Sequence, residues 1–270
     1  MLIFALIAVG ICASTLGTIF GIGGGIVFIP VLTILFDLSA GEAVAVSLVG
    51  IISTSTGAAA FHVRRGAANV RLGLLLEITT SIGAMVAALF AVYAENWVLL
   101  VIFGCVLIYS AASMMLRKER IIEHSEEGGD MVFSYRNERD PAEKRYEVRN
   151  VGSGLLVCTG AGMLSSLTGV GGGTIKIPLM NVHMHIPIKV ATATSSYMIG
   201  ITAFSGAVVY FIHGDLLLDY AAAIAVGAFF GSFIGTRISK RIDAGPLRRY
   251  FSVLLLAISA VIFLEAGGIL

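Results

Sequence analysis

The amino-acid sequence predicts an all-α polytopic membrane protein made of two inverted repeats. Each repeat holds about 4–5 helical segments, with glycine-broken or re-entrant helices. Three observations carry that expectation. The 270 residues are 57% hydrophobic and 13% charged, with a mean hydropathy of +0.93, about half the charged fraction of a soluble domain. Of the 35 Lys, Arg, Asp and Glu residues, 17 fall between Arg117 and Arg149. The remainder punctuate apolar runs near the ~20 residues that cross a bilayer. Finally, residues 21–32 read GIGGGIVFIPVL and residues 169–180 read GVGGGTIKIPLM.

The constant offset is 148 residues, and it extends beyond the glycines: Ser47 falls on Ser195, Gly66 on Gly214 and Gly83 on Gly231. A duplication therefore organises the chain. Residues 1–116 form the first repeat, 117–149 a charged insert and 150–270 the second repeat. The opening MLIFALIAVGICAS has no Lys or Arg before its apolar run, so it reads as a retained helix rather than a secretory signal. The first repeat then runs 1–20, glycine loop, 26–36, 42–62, 72–94 and 97–116. The second runs 150–168, glycine loop, 174–182, 188–212, 216–236 and 248–268. The pieces that follow the glycines reach only about half a bilayer at 1.5 Å per residue. The insert reads as a solvated loop, although VFSYRNERDPAEKRYEV also has the pattern of a hairpin about Asp140–Pro141.

Basic residues set the expected orientation. Arg64, Arg65 and Arg71 place the loop at 63–71 in the cytoplasm, with the 117–149 insert and Arg237–Arg249. Glu95–Asn96 and His213–Asp215 lack Lys and Arg and fall outside. Equivalent loops then lie on opposite faces, and the N- and C-termini fall outside.

Glycine runs that interrupt membrane helices leave backbone amides free, and those amides must face protein or a cavity. The start of a helix carries about half a positive charge and attracts anions. Transporters built from inverted repeats bind substrate where two such breaks meet. Gly23, Gly24 and Gly25 with Gly171, Gly172 and Gly173 are accordingly candidate substrate-binding residues. The competing reading is that these glycines only permit tight helix packing. Lys176 is an intramembrane cation three residues after Gly173. Either it adds a full charge for an anion or it snorkels to an interface. Its counterpart is Phe28. Thr174, Ser165, Ser166, Thr168, Ser47, Ser195, Ser196 and Tyr197 offer hydroxyls, which in membrane helices more often bond their own backbone. Glu77 is a candidate coupling residue that carries a proton, reaches the cytoplasmic edge or pairs with Arg71.

His183 and His185, beside Pro187, read as interfacial. Cys12, Cys105 and Cys158 sit unpaired in apolar runs and read as packing residues. No hydrolase triad, metal-ligand spacing or phosphate loop with its Lys-Ser/Thr is present in the sequence. No cofactor, metal or nucleic acid is expected.

The paired G-x-G-G-G-x(4)-P motifs, the segments AVAVSL (43–48) and ATATSSY (191–197), and the turn at Arg64–Gly66 resemble the TauE/SafE family of sulfite and sulfonate exporters. The resemblance covers nearly the whole chain outside the insert. It implies a secondary transporter, with no enzyme activity, that exports small sulfur-containing oxyanions such as sulfite or sulfoacetate across the cytoplasmic membrane by alternating access. The expected partners are that anion, the lipid bilayer and further copies in a homo-oligomer. The alternative is a proton- or cation-coupled exchanger of another solute, with Glu77 or Asp219 as the ligand.

Overall fold

The computed structural model describes residues 2–64, 66, 68–116, 131–137, 140–239 and 244–267. The first repeat contains α1 (Leu2–Phe20), α2 (Gly25–Phe36), α3 (Ala40–Arg64), α4 (Val70–Ala91) and α5 (Asn96–Leu116). A hairpin of β1 (Met131–Asn137) and β2 (Asp140–Val148) follows. The second repeat contains α6 (Val151–Thr168), α7 (Gly173–Pro178) with a π-turn over Leu179–His183, α8 (Ile188–His213), α9 (Leu218–Ile238) and α10 (Ala244–Ala266). Seven of these helices, α1, α3, α4, α5, α6, α8 and α9, are long and apolar enough to cross a membrane.

Glycine lets the helices approach backbone to backbone. A Cβ on Gly227 would lie 2.2 Å from the Ile7 carbonyl, and one on Gly231 2.4 Å from that of Ile11. Ser14 donates to the Ala228 carbonyl at 2.6 Å and Thr15 to that of Gly231 at 3.1 Å. These contacts align α1 and α9 in the same direction. The α4–α6 pair repeats the arrangement 148 residues on: Gly83 faces the Thr159 carbonyl, Gly162 that of Thr80, and Thr79 donates to Leu155. By contrast α3 and α8 run antiparallel, since Ser55 donates to the Ser196 carbonyl at 2.6 Å while Gly206 packs beside Leu48.

One end of the bundle gathers the chain around residues 37–42, 92–96 and 213–217. Asn96 Oδ1 accepts from the Ala40 amide at 2.6 Å, and the Tyr93 and His213 rings meet edge-on at 5.4 Å. Asp37, Glu42, Glu95 and Asp215 belong to these segments, which contain no Lys or Arg. The opposite end carries Arg71, Arg145, Arg149 and Lys189.

The insert departs from the solvated-loop expectation. Residues 131–137 and 140–148 pair antiparallel, with Asn137 opposite Asp140 and Pro141 within β2 rather than in a turn. The anchor of the pair is apolar: Tyr146 and Val148 are buried with Leu72, Leu76, Met180 and Met184. Asn69 Nδ2 donates to the Tyr146 hydroxyl at 2.7 Å, and Asn69 Oδ1 caps α4 by accepting from Leu72 at 3.0 Å. Residues 117–130 of the insert lie outside the described residues. Of the cysteines, Cys158 is buried, but Cys12 and Cys105 are exposed on the bundle surface.

Candidate functional site

The two glycine loops meet directly. A Cβ on Gly25 would stand 2.0 Å from the Gly169 carbonyl and 2.8 Å from Val170 Cα. A Cβ on Gly173 would stand 2.8 Å from the Gly21 carbonyl and 3.1 Å from Ile22 Cα. These contacts are equivalent under the 148-residue offset. Ile51 of α3 and Ile199 of α8, likewise equivalent, pack against both Gly23 and Gly171. Gly21, Gly23, Gly24, Gly169, Gly171 and Gly172 all have positive φ, between 57° and 88°, which a side chain disfavours. The loops therefore form a closed junction at the middle of α3 and α8. Gly24 and Gly172 precede their short helices without side-chain caps, which leaves first-turn amides with donor capacity.

A narrow crevice, with room for about one water, lies on one side of this junction. It is lined by Gly17, Thr18, Gly21 and Gly23 of the first loop region, by Thr54, Ser55 and Ala58 of α3, and by Ser196 and Ile199 of α8. Thr54 to Ala58 lie in the half of α3 that runs to Arg64, and Ser196 lies near the start of α8, so the crevice sits toward the basic end. No charged side chain lines it. The Thr18 hydroxyl, in a residue 7% exposed, has no hydrogen-bond partner.

Lys176 and Glu77 come together in the interior. Lys176 is 0% and Glu77 2% exposed, with Nζ 3.2 Å from Glu77 Oε2. Nζ also donates to Thr202 Oγ1 at 2.5 Å, and Thr202 donates to Glu77 Oε1 at 2.5 Å. Ser81 donates to Glu77 Oε1 at 3.2 Å. Lys176 thus neither reaches an interface nor stands as a free cation, and Glu77 pairs with it rather than with Arg71. The equivalent positions in the other repeat are Phe28, Ala225 and Thr54, so the charge occurs on one side only. Burial of two charges demands such mutual pairing.

Among the sequence-derived candidates, Gly23 lines the crevice, Gly25 and Gly173 make the direct contact between the loops, Gly171 packs on Ile51 and Ile199, and Gly24 and Gly172 pack against Ala13 and Ala161. Ser47 donates to the Gly169 carbonyl at 2.8 Å and so braces the junction. Its equivalent Ser195 is buried with an unpartnered hydroxyl. Thr174 is buried on α7. Asp219 is exposed near the acidic end, and His183 is exposed at the basic end. Sequence reasoning singled out Ser196, which lines the crevice, but missed Thr18, Ser55 and Thr202. Only the offset that pairs Thr18 with Ser166 and Thr54 with Thr202 could have drawn attention to two of them.

The sulfite exporter TauE/SafE family matches residues 6–262. The chain belongs to the TauE/SafE family. It is similar to the probable membrane transporter protein YunE of Bacillus subtilis, at 29% identity over 96% of this chain and 97% of that protein. It is also similar to a probable membrane transporter protein of Haemophilus influenzae, at 24% identity over 95% and 96% of the two chains. A TauE/SafE family protein 6 of Arabidopsis thaliana, described as a sulfite exporter, is 30% identical over 38% of this chain and 24% of its own. No solved structure matches. As a TauE/SafE protein the chain is a multi-pass membrane transporter, of a transporter family rather than an enzyme family.

Proposed function

We propose that this transporter exports small sulfur-containing oxyanions, sulfite or organosulfonates such as sulfoacetate, by alternating access. The observation that carries the reading is the crevice beside the first glycine loop. It combines an unpartnered buried hydroxyl on Thr18 with glycine backbone beside the uncapped start of α2, while the Thr54, Ser55 and Ser196 hydroxyls that also line it donate to the Gly50, Ser196 and Thr192 carbonyls. Such a lining offers donors to an oxyanion without an opposing carboxylate. The Lys176 charge is already neutralised by Glu77, so in this conformation the Thr18 hydroxyl and backbone amides hold the anion. The basic end faces the cytoplasm, which puts the crevice inside and the N- and C-termini outside. The directions of α1 with α9, α6 with α4, and α3 against α8 support two repeats inverted across the membrane. Export of an anion from a negative interior is then favoured by about 2.3 kcal/mol per charge per 100 mV.

The burial of Lys176 and Glu77 favours a second reading, in which Glu77 carries a proton in exchange. The two readings separate in proteoliposomes. Sulfite or sulfoacetate efflux driven by a potential, and weakened by Thr18→Val, supports the anion site. Efflux that requires a pH gradient and disappears in Glu77→Gln supports coupling. Melting temperatures of purified wild type and Thr18→Val should be compared with sulfite, sulfoacetate, taurine, sulfate, acetate and chloride. If no anion stabilises wild type, the oxyanion reading is wrong.

A further inference from the structure

The open crevice has a closed twin. The offset of 148 carries Gly17 to Ser165, Thr18 to Ser166, Thr54 to Thr202 and Ala58 to Gly206, and it carries Ser196 back to Leu48. In this second arrangement Leu48, Ser165, Ser166 and Thr202 are packed to 0–1% exposure. Ser166 Oγ stands 2.4 Å, and Leu48 Cδ1 3.2 Å, from where a Gly206 Cβ would lie. The leucine occupies the place that the small Ser196 leaves open in the first repeat. Beneath this seal the hydroxyls of Ser165 and Ser166, in residues 1% and 0% exposed, have no partner.

Buried hydroxyls without partners are costly to a fold unless another state satisfies them. The same backbone arrangement stands open 148 residues earlier in this chain, which shows the geometry that state can take. The twin lies toward the acidic end: Leu48 is near the start of α3, while Thr202 and Gly206 are in the half of α8 that runs to His213.

We infer that α3, α6 and α8 part at Leu48, Ser166 and Gly206 to form a second oxyanion half-site, on the face opposite the crevice. There Ser165 and Ser166 donate to the anion that Thr18 holds on the inner side. The ligand rests on the oxyanion reading above; the two-sided opening rests on geometry alone. Thr202, which bonds Lys176 and Glu77, is the equivalent of the crevice-lining Thr54. Parting α8 from α6 therefore moves the hydroxyl that ties the ion pair, linking the half-site to the buried charge.

The test is labelling of the full-length Thr18→Cys and Ser166→Cys variants by a membrane-impermeant maleimide, in right-side-out and inverted vesicles. Peptide mass spectrometry at residue 18 or 166 separates these signals from the native cysteines. Thr18→Cys should label from the basic-end side and Ser166→Cys from the opposite side. Gly206→Ala, which forces a methyl against Ser166, should raise Ser166→Cys labelling several-fold and lower that of Thr18→Cys. Leu48→Ala should do the same by removing the seal, and it covers the case in which Gly206→Ala fails to fold. Sulfoacetate should slow both reactions and acetate should not. Absence of labelling at residue 166 in the Leu48→Ala background, or labelling from the same side as residue 18, overturns the proposal. Opposite-side labelling that sulfoacetate leaves unchanged at both positions refutes the oxyanion ligand, and with it the oxyanion reading, while the two-sided opening stands. Protection of residue 18 alone overturns the second half-site only.

Discussion

Replacing Gly25 with alanine sets local propensity against the tertiary junction. Gly25 is the first residue of α2, where propensity alone predicts a gain of up to about 1 kcal/mol for alanine. The junction predicts the reverse. The new methyl would lie 2.0 Å from the Gly169 carbonyl, 2.8 Å from Ile51 Cδ1 and 2.8 Å from Val170 Cα. Ordinary contact begins near 3.4 Å, so the loop must retreat by about 1.4 Å. Overpacking of this kind costs about 1–3 kcal/mol. The retreat also draws the Gly169 carbonyl from Ser47, now bonded at 2.8 Å, a loss of about 1 kcal/mol. The net is a destabilisation of about 1–3 kcal/mol, which lowers the melting temperature by roughly 2–12 °C at this chain length. Thermal unfolding in detergent measures it. Gly41→Ala is the control, because a Cβ there meets nothing within 4 Å, and it should melt within about 1–2 °C of wild type on the same scale. Should Gly25→Ala melt at or above the wild-type temperature, the direct contact of the two glycine loops is refuted.

Removing one member of the buried ion pair strands the other. Lys176→Met or Glu77→Gln alone should each destabilise by about 3–5 kcal/mol, whereas the double variant should recover much of that; a thermodynamic cycle with no coupling would contradict the pairing. Gly231→Ala and its equivalent Gly83→Ala, whose methyls would meet the Ile11 and Thr159 carbonyls at 2.4 and 2.3 Å, should both destabilise, by about 1–3 kcal/mol each. A marked difference between them in melting temperature would argue against equivalent helix pairs. Asn69→Ala removes the α4 cap and the Tyr146 partner, so a loss of about 1 kcal/mol for the cap alone should accompany faster proteolysis within residues 131–148. Unchanged proteolysis would show that the hairpin docks without this bond.

Much of the fold could be read from the one-dimensional pattern. A helix in a membrane satisfies its own backbone, so apolar length and polar breaks alone locate the spans. The glycine runs were readable as junction residues for the same reason: only glycine accepts the φ values near 85° at Gly23 and Gly24. The hairpin was less accessible, because Tyr146 and Val148 lie in a charged stretch and share a buried cluster with residues distant in sequence, such as Leu72, Leu76, Met180 and Met184.

The sequence by itself determined the helical class, the duplication, the placement of the breaks and the asymmetry of Lys176 against Phe28. These rest on local chemistry and on a repeat visible as identity at fixed spacing. Tertiary structure decided that the loops contact each other, that a crevice opens beside the first while Leu48 seals its twin, and that Lys176 is matched by Glu77. Those pairings join residues 99 to 158 positions apart. Their formation depends on how helices cross, which no local periodicity encodes. A buried charge requires a partner, but only packing selects which one.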